Sequence, residues 1–300
     1  MLPDADELPE ILLDLAVPHE DVDVLAGSCR TLTRDAGAMR LLEESVAELL
    51  RDLGEVGGPA RLGELVTEAP RALGAYFPAY VFVAALPHTR AYHRGRGIPP
   101  EVTRRTLADL GRCMAIHRRR HGRGGVQDAP WLVRHFRGEL FQLGRLQYER
   151  TRLSTRTAAV LAAAGLDAAP GTPCLNLHIP GYRGPLTPAA CDRSLTAARE
   201  FFARHFPEEP YRTAMCHSWL LDPQLTGYLS PESNIVRFQR RFRLAHGDAE
   251  PDDTAPVRFV FGDPDLPVES LPRRTAVERA VGDHLRAGGH WYPGHGWFPL

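Results

Sequence analysis

Apolar residues recur with the period of an α-helix through the first half of the chain. One segment, 38–54, carries them every three or four positions and ends in Gly54, a common helix stop: Met39, Leu42, Val46, Leu49 and Leu50. A second segment, 99–122, follows the same pattern. The apolar run at 76–86 predicts a buried helix and is too short to cross a membrane. These patterns predict a helical N-terminal domain over residues 1–130.

The second half, residues 131–300, introduces the two-residue period of β-strands. Five strands are predicted, at 138–150, 174–180, 211–222, 233–244 and 257–262. Two helices are predicted between or after them, at 187–206 and 276–287. Each begins at a threonine suited to cap a helix, and the second also has the spacing of a capping box, Thr275 to Glu278. We therefore predict an α/β (α+β) fold class, in which a helical domain precedes a mixed-sheet domain. The loop at 246–256 is predicted to connect two strands as an exposed hairpin.

Composition excludes several classes of protein. The 300 residues are 43% hydrophobic and 24% charged, and the net charge of −1 gives no reason to expect nucleic acid as a partner. All 36 basic residues are arginine. Five cysteines, an odd number, fit neither a disulfide framework nor a metal-binding spacing, so we expect a reducing cytoplasm and no metal. The N-terminus is acidic and lacks the basic start and long apolar core of a signal peptide, so none is predicted.

The corner between the strand at 174–180 and the helix at 187–206 is the first candidate site. It contains Gly181, Arg183 and Gly184, which suit a loop that approaches an anion closely at a helix N-terminus. Two prolines in the same stretch remove N–H donors, so an ordinary turn remains an alternative.

Two side chains near this corner have suitable chemistry for catalysis. His178, at the end of its strand, fits a general base, although a histidine satisfied at a sheet edge fits the pattern as well. Cys216 and His217 are adjacent, but neighbours in a strand point to opposite faces, so they do not form a nucleophilic dyad. A pairing of Cys216 with His178 remains open, as does a role for Cys216 in the core.

Two clusters of arginine have simpler explanations. The run at 117–123 suits the C-terminal end of a helix, where positive charge complements the dipole, and contact with an acidic partner is a minority interpretation. The predicted strand at 233–244 places its arginines on one solvated face. No P-loop, dinucleotide-binding glycine pattern, HExxH or GxSxG motif is present.

Four stretches, in this order, resemble a bacterial family of two-domain acyltransferases: FQLGRLQYER at 141–150, LNLHIPGYRGPLTP at 175–188, CHSWLLDPQL at 216–225 and SNIVRFQRRF at 233–242. Members have a helical N-terminal domain and a GNAT-like C-terminal domain. The resemblance runs from about residue 90 to the C-terminus. It implies that the strands at 174–179 and 211–221 part to form a V-shaped gap for the pantetheine arm of acyl-CoA.

The resemblance also implies which residues contact the donor: Gly181, Arg183, Gly184, Thr187, His217 and Trp219. The usual loop pattern of such enzymes, Q/R-x-x-G-x-G/A, is not matched by this loop. The donor expected is acyl-CoA as co-substrate. Because the loop departs from this pattern, acyl-phosphopantetheine on an acyl carrier protein, which needs fewer phosphate contacts, is the alternative.

By the same resemblance, an amine of a small molecule or peptide attacks the thioester directly. His178 is expected to act as the base, with Glu149 as its rival, and Tyr228 to protonate the departing thiolate. Two other functions remain open: a thioesterase that forms an acyl-enzyme on Cys216, and a non-catalytic module that binds acyl-CoA or a carrier protein.

Overall fold

The computed structural model describes residues 2–4, 6–57, 73–126, 128–166, 168–245 and 250–300. The chain divides into two units, Met1–Gln142 and Leu143–Leu300. The domain boundary predicted at residue 130/131 stays a prediction.

Helices form the first unit, as predicted. Those that the structure describes are α1 (Leu8–Asp14), α2 (His19–Arg34), α3 (Ala36–Leu50), α4 (Phe77–Gly95), α5 (Pro100–Leu107), α6 (Asp109–His121) and α7 (Ala129–Phe136). The apolar run at 76–86 lies in α4, where Phe77 and Phe82 are fully buried. The single helix predicted over 99–122 is two helices, α5 and α6, which are separated at Ala108.

The basic run at 117–123 ends α6, where Gly122 takes a left-handed conformation with φ of +66°. Arg118 pairs with the buried carboxylate of Asp21, which also accepts a hydrogen bond from Tyr76 Oη at 2.6 Å. Arg119 and Arg120 are exposed. The run is therefore partly a solvated helix end, as predicted, and partly a structural ion pair.

A six-stranded mixed sheet dominates the second unit. Its strands are β1 (Leu140–Leu143), β2 (Leu146–Arg152), β3 (Pro173–His178), β4 (Thr213–Ser218), β5 (Arg243–Ala245) and β6 (Gly294–Pro299), in the order β1-β2-β3-β4-β6-β5. β3 is antiparallel to β2 and parallel to β4, and β6 is antiparallel to both of its neighbours.

The helices of this unit are α8 (Thr155–Ala163), α9 (Pro188–His205), α10 (Asn234–Gln239), α11 (Thr254–Phe261) and α12 (Ala276–Arg286). Both helix starts predicted from the sequence are confirmed. Thr187 caps α9 by accepting a hydrogen bond from the Ala190 N–H at 3.3 Å. Thr275 and Glu278 form the predicted capping box of α12.

The strand predicted at 138–150 is a hairpin rather than one strand. β1 and β2 are joined by a two-residue turn, Gly144 and Arg145, and Gly144 has a φ of +73° that favours glycine. Gln147 and Glu149 share one face of β2, since they lie two positions apart and pair with His178 and Asn176 of β3.

Two strand predictions in the second unit are wrong. Residues 234–239 form α10 because the Ser233 hydroxyl caps a helix there, and only Arg243–Ala245 at the end of 233–244 is extended. The segment 257–262 lies mostly in α11, which stops at Gly262 with φ of +86°. The hairpin predicted at 246–256 therefore lacks its second strand. Its residues 246–249 lie outside the described residues.

Sequence patterns missed two elements, α8 and β6. β6 lies between β4 and β5 and pairs with all six residues of β4. Two of its glycines make close contacts: a Cβ at Gly294 would lie 2.5 Å from the Leu221 backbone, and one at Gly296 would lie 2.8 Å from Phe242 Cβ.

Among the described residues, no helix combines the length and apolar character needed to cross a bilayer.

Candidate active site

The two parallel strands β3 and β4 part at their carboxyl ends. β3 pairs with β2 along six consecutive positions, but with β4 only at Leu175–Ala214 and Asn176–Met215. Within the part of the chain that the structure describes, the rest of β3 has no backbone partner on this side. β4 stays extended because β6 pairs with it from Thr213 to Ser218. The missing pairing at the carboxyl ends fits the predicted gap, whose width for a thioester stays a prediction.

One face of the sheet carries the polar groups beside this gap. Side chains alternate along a strand, so the register places Glu149, Asn176 and His178 on the same face as Met215 and His217. Leu175, Leu177 and Cys216 point to the opposite face, where they are buried.

His178 and Glu149 form a hydrogen-bonded pair. His178 Nε2 lies 2.7 Å from Glu149 Oε2, and the same oxygen accepts a hydrogen bond from Asn176 Nδ2 at 3.1 Å. The side chains are 25% and 14% exposed, respectively. Because a carboxylate only accepts, Nε2 carries the proton of this bond, which places the basic lone pair of a neutral imidazole on Nδ1. The two residues predicted as rival bases are thus parts of one imidazole–carboxylate pair.

The loop predicted to hold the donor begins next to this pair. Gln147, the cross-strand partner of His178, donates from Nε2 to Tyr182 Oη at 3.3 Å. The Arg183 guanidinium lies 5.5 Å from the centre of the Tyr182 ring, and Gly184 has a φ of +75°. Gly181 and Gly184 are exposed. Thr187 uses its hydroxyl as the cap of α9, which fixes the loop at the start of the helix.

Tyr228 follows the short 3₁₀ helix Pro223–Gly227, where the resemblance placed a short helix. Its hydroxyl lies 2.9 Å from His284 Nδ1, and its ring packs edge-on against the His284 ring. His284 Nε2 lies 3.1 Å from the backbone carbonyl oxygen of His290. Nε2–H therefore donates to that carbonyl, and Nδ1 accepts from the Tyr228 hydroxyl. Tyr228 is 45% exposed. Its hydroxyl is therefore held in a defined hydrogen bond on a partly exposed residue.

The other predicted residues lie in different surroundings. His217 is exposed on β4, directly across from His295 of β6, with 6.0 Å between ring centres. Burial, followed by the nearby His217 and Arg156, lowers the pKa of His295. Trp219 lies beyond the strand, in the 3₁₀ helix Trp219–Leu221, and is 8% exposed within an apolar cluster. It therefore offers a donor little accessible surface.

Cys216 lies in the core. It is 1% exposed, and burial raises the pKa of its thiol to about 12, so it is protonated near neutral pH. The register also puts it on the opposite face from His178. Cys216 thus has neither a thiolate nor a neighbouring base on its own face, and these observations do not support a nucleophilic role.

Two cavities of about 300 and 320 Å³ lie on that opposite face, against α9. Phe298 lines the first and Leu175 the second, whereas neither His178 nor Glu149 lines either one. Their size does not make them the better candidate site, because neither brings a base and a carboxylate together. The pair beside the gap has the more suitable chemistry.

Sequence reasoning missed Asn176, Gln147 and His284 as parts of the site. Asn176 and His178 are two residues apart on a strand, a signal that they share a face. The contacts of Gln147 and His284 depend on partners 35 and 56 residues away, so no local pattern indicates them.

Comparison with known proteins agrees with this geometry. Residues 140–298 match the GNAT-like C-terminal domain, and residues 6–138 match the N-acyltransferase N-terminal domain. No curated protein matches the chain.

Solved structures that are similar along the whole chain include the following three. An acyltransferase in complex with decanoyl-CoA is 39% identical over 100% of this chain and 89% of that chain, with a TM-score of 0.86. A mutant acyltransferase in complex with octanoyl-CoA is 38% identical over 100% and 90%, with a TM-score of 0.84. An acyltransferase in complex with CoA and 10C-teicoplanin is 37% identical over 100% and 90%, with a TM-score of 0.83.

The fold and these matches together define an enzyme that transfers acyl groups. The chain belongs to the family in which an N-acyltransferase N-terminal domain precedes a GNAT-like C-terminal domain. The predicted family, the fold class and the acyltransferase activity are confirmed.

Proposed function

We propose that the protein transfers an acyl group from acyl-CoA to the amine of a small molecule, by direct attack of the amine on the thioester. The hydrogen-bonded pair of His178 and Glu149 beside the gap is the observation that carries this proposal. The similar acyltransferases in complex with acyl-CoA and with teicoplanin support both substrate classes. Teicoplanin is accordingly the first acceptor to test.

In this mechanism the acyl-CoA tail enters the gap between β3 and β4 from the side of the Gly181–Thr187 loop. The amine nitrogen attacks the thioester carbonyl carbon and forms the C–N bond. His178 takes up the amine proton on Nδ1, and Glu149 stabilises the resulting imidazolium and holds its orientation. Backbone N–H groups of the parted strand β4 stabilise the oxyanion.

Collapse of the tetrahedral intermediate breaks the C–S bond and releases a thiolate. Tyr228 gives its hydroxyl proton to that thiolate after the hydrogen bond to His284 Nδ1 opens, which leaves a phenolate on Tyr228. The products are an amide and CoA thiol. Proton exchange with solvent returns His178 and Tyr228 to their starting states, so no acyl-enzyme is required.

The cellular location that we propose is the cytoplasm. All five cysteines, at positions 29, 113, 174, 191 and 216, are free and buried, which fits a reducing compartment. An acyl carrier protein remains the alternative donor, and a direct comparison of the two thioesters would distinguish them.

The test is release of CoA thiol, measured with acetyl- to decanoyl-CoA in the presence of teicoplanin and simpler amines, with the acylated product identified by mass spectrometry. We expect amine-dependent thiol release and a one-to-one amide product. Cys216→Ala is the matched control, because direct transfer does not use the thiol and turnover should stay within about twofold. Thiol release that requires Cys216 and yields only free acid would contradict the proposal.

A further inference from the structure

Arg145 occupies a buried position in the turn between β1 and β2. The residue is 8% exposed. The turn is fixed on α9, since Ser194 Oγ accepts from the Leu146 N–H at 3.1 Å and donates to the Leu143 carbonyl. The guanidinium of Arg145 extends to the start of the loop that leads into α9, where Nη1 donates to the Pro180 carbonyl at 2.9 Å.

No carboxylate among the described residues pairs with this buried cation. Among the described residues, Arg145 Nε has no hydrogen-bond partner, and the acceptor of the Nη1 hydrogen bond, the Pro180 carbonyl, is neutral. Burial lowers the pKa of Arg145, with Cys191 and Tyr182 as the nearby groups that oppose the effect, but a guanidinium stays protonated at physiological pH. Burying a charge without a counter-charge is unfavourable.

Two other buried arginines, Arg150 and Arg137, each have a carboxylate partner. Arg150, 2% exposed, pairs with Glu209 at 2.8 Å, and Arg137, 1% exposed, pairs with Asp52 at 2.8 Å. Arg145 is thus a buried arginine whose positive charge the described chain leaves uncompensated. That contrast points to an anion supplied from outside the chain.

The surroundings of Arg145 fit a phosphate group. Its guanidinium lies among the loop residues Pro180 and Tyr182 and the first turn of α9, an 18-residue helix whose N-terminal dipole also favours negative charge. In the described structure, the backbone N–H groups of Gly184 and Leu186 donate no hydrogen bond. They add donors on the loop side, where prolines at 185 and 188 lack them.

We propose that Arg145 is a donor-binding residue whose guanidinium supplies the positive charge for the pyrophosphate of acyl-CoA. This inference rests on the proposed function. Arg145 would compensate for a loop that lacks the usual pattern of such enzymes, and Gly181 and Gly184 of that loop are exposed. Because the charge recognises phosphate, it should matter for donors that carry the nucleotide and not for truncated thioesters.

The test compares Arg145→Gln with wild type by calorimetric binding of CoA and by turnover of decanoyl-CoA and of decanoyl-N-acetylcysteamine, which has no phosphate. We expect the CoA Kd and the KM for decanoyl-CoA to rise about tenfold or more, the size typical of a lost charge-assisted contact. The kcat/KM for the truncated donor should change less than about twofold. Arg204→Gln, at an exposed position near the other end of α9, is the matched control and should leave both values unchanged.

Parallel losses with both donors would show a structural role only and overturn the inference, as would unchanged CoA binding. If Arg145→Gln does not fold, the same comparison with Arg145→Lys decides, since lysine retains the charge but not the guanidinium fork. A smaller loss confined to CoA donors would then support the inference, and equal losses would reject it. Wild-type protein that binds CoA but acylates no amine would contradict the proposed function while leaving the binding role of Arg145 intact.

Discussion

Glu149 Oε2 and His178 Nε2 are 2.7 Å apart across the antiparallel strands β2 and β3, so that the carboxylate and the imidazole form one pair. Asn176, on the same strand as His178, donates to the same carboxylate oxygen. The sequence presents these groups 29 residues apart, and the strand register brings them together.

Glu149→Gln should lower kcat while leaving the KM for acyl-CoA nearly unchanged. The amide cannot stabilise an imidazolium as the carboxylate does, and hydrogen bonds to charged groups contribute about 1.5–3 kcal/mol, or roughly ten- to hundredfold in rate. Steady-state kinetics with saturating amine would measure the effect. The control is Glu200→Gln, an exposed carboxylate on α9. A Glu149→Gln enzyme with wild-type kcat would show that the carboxylate has no role in turnover.

Tyr228→Phe should reduce kcat in a way that depends on the leaving group. Phenylalanine keeps the ring packing against His284 and removes the hydroxyl that protonates the thiolate. We expect a loss of about 10²-fold with acyl-CoA, within the range of general acid catalysis. The loss should be smaller with an S-phenyl thioester. Its leaving group, thiophenolate, is the anion of a thiol more acidic than CoA and leaves without protonation. Tyr292→Phe, at another exposed tyrosine, is the control. Equal losses with both thioesters would assign Tyr228 to binding instead.

His93 should make the first unit sensitive to acid. It is 1% exposed, its Nδ1 lies 3.0 Å from Thr103 Oγ1, and burial lowers its pKa from 6.5 to about 4. The unfolded chain therefore binds a proton below pH 6.5 that the folded chain does not take up until about pH 4. Stability is lost as the pH falls through this window, by about 2 kcal/mol between pH 7 and pH 5.

Urea unfolding of wild type, His93→Gln and His88→Gln at pH 7 and pH 5 would measure this effect. His88 is an exposed histidine on the same helix, so its replacement controls for the loss of an ordinary imidazole. We expect the pH-dependent difference to shrink by about 2 kcal/mol in His93→Gln only. An identical pH dependence in all three proteins would rule out His93 as the source.

Local sequence signals predicted the elements that local contacts determine. The helix α9 starts where a threonine caps it, and α12 starts at its capping box. The strand around His178 followed from a short apolar run. These features need few long-range contacts to be recognised.

The errors have two physical causes. Phe238 and Phe242 alternate as in a strand, but they are also four residues apart, and their rings lie 5.1 Å from each other at the end of α10. The pattern was compatible with both periods, and the Ser233 cap decided for the helix. β6 was missed because Gly294 and Gly296 interrupt any apolar alternation. Both glycines are required by neighbours far away in sequence, Leu221 and Phe242.

The partners in the candidate site could not be predicted because they are far apart in the sequence. The pairing of Glu149 with His178 requires the register of two strands, and the contact of Tyr228 with His284 joins residues 56 positions apart. The sequence indicated the individual side chains as acid or base, whereas their arrangement depends on tertiary structure.

The most direct test of the account is the rate of CoA thiol release by His178→Ala at saturating decanoyl-CoA and amine. We expect kcat to fall by about 10²–10⁴-fold, the contribution of a general base, while the calorimetric Kd for CoA stays within about twofold of wild type. A variant that folds, binds CoA and turns over at the wild-type rate would show that His178 does not act as the base.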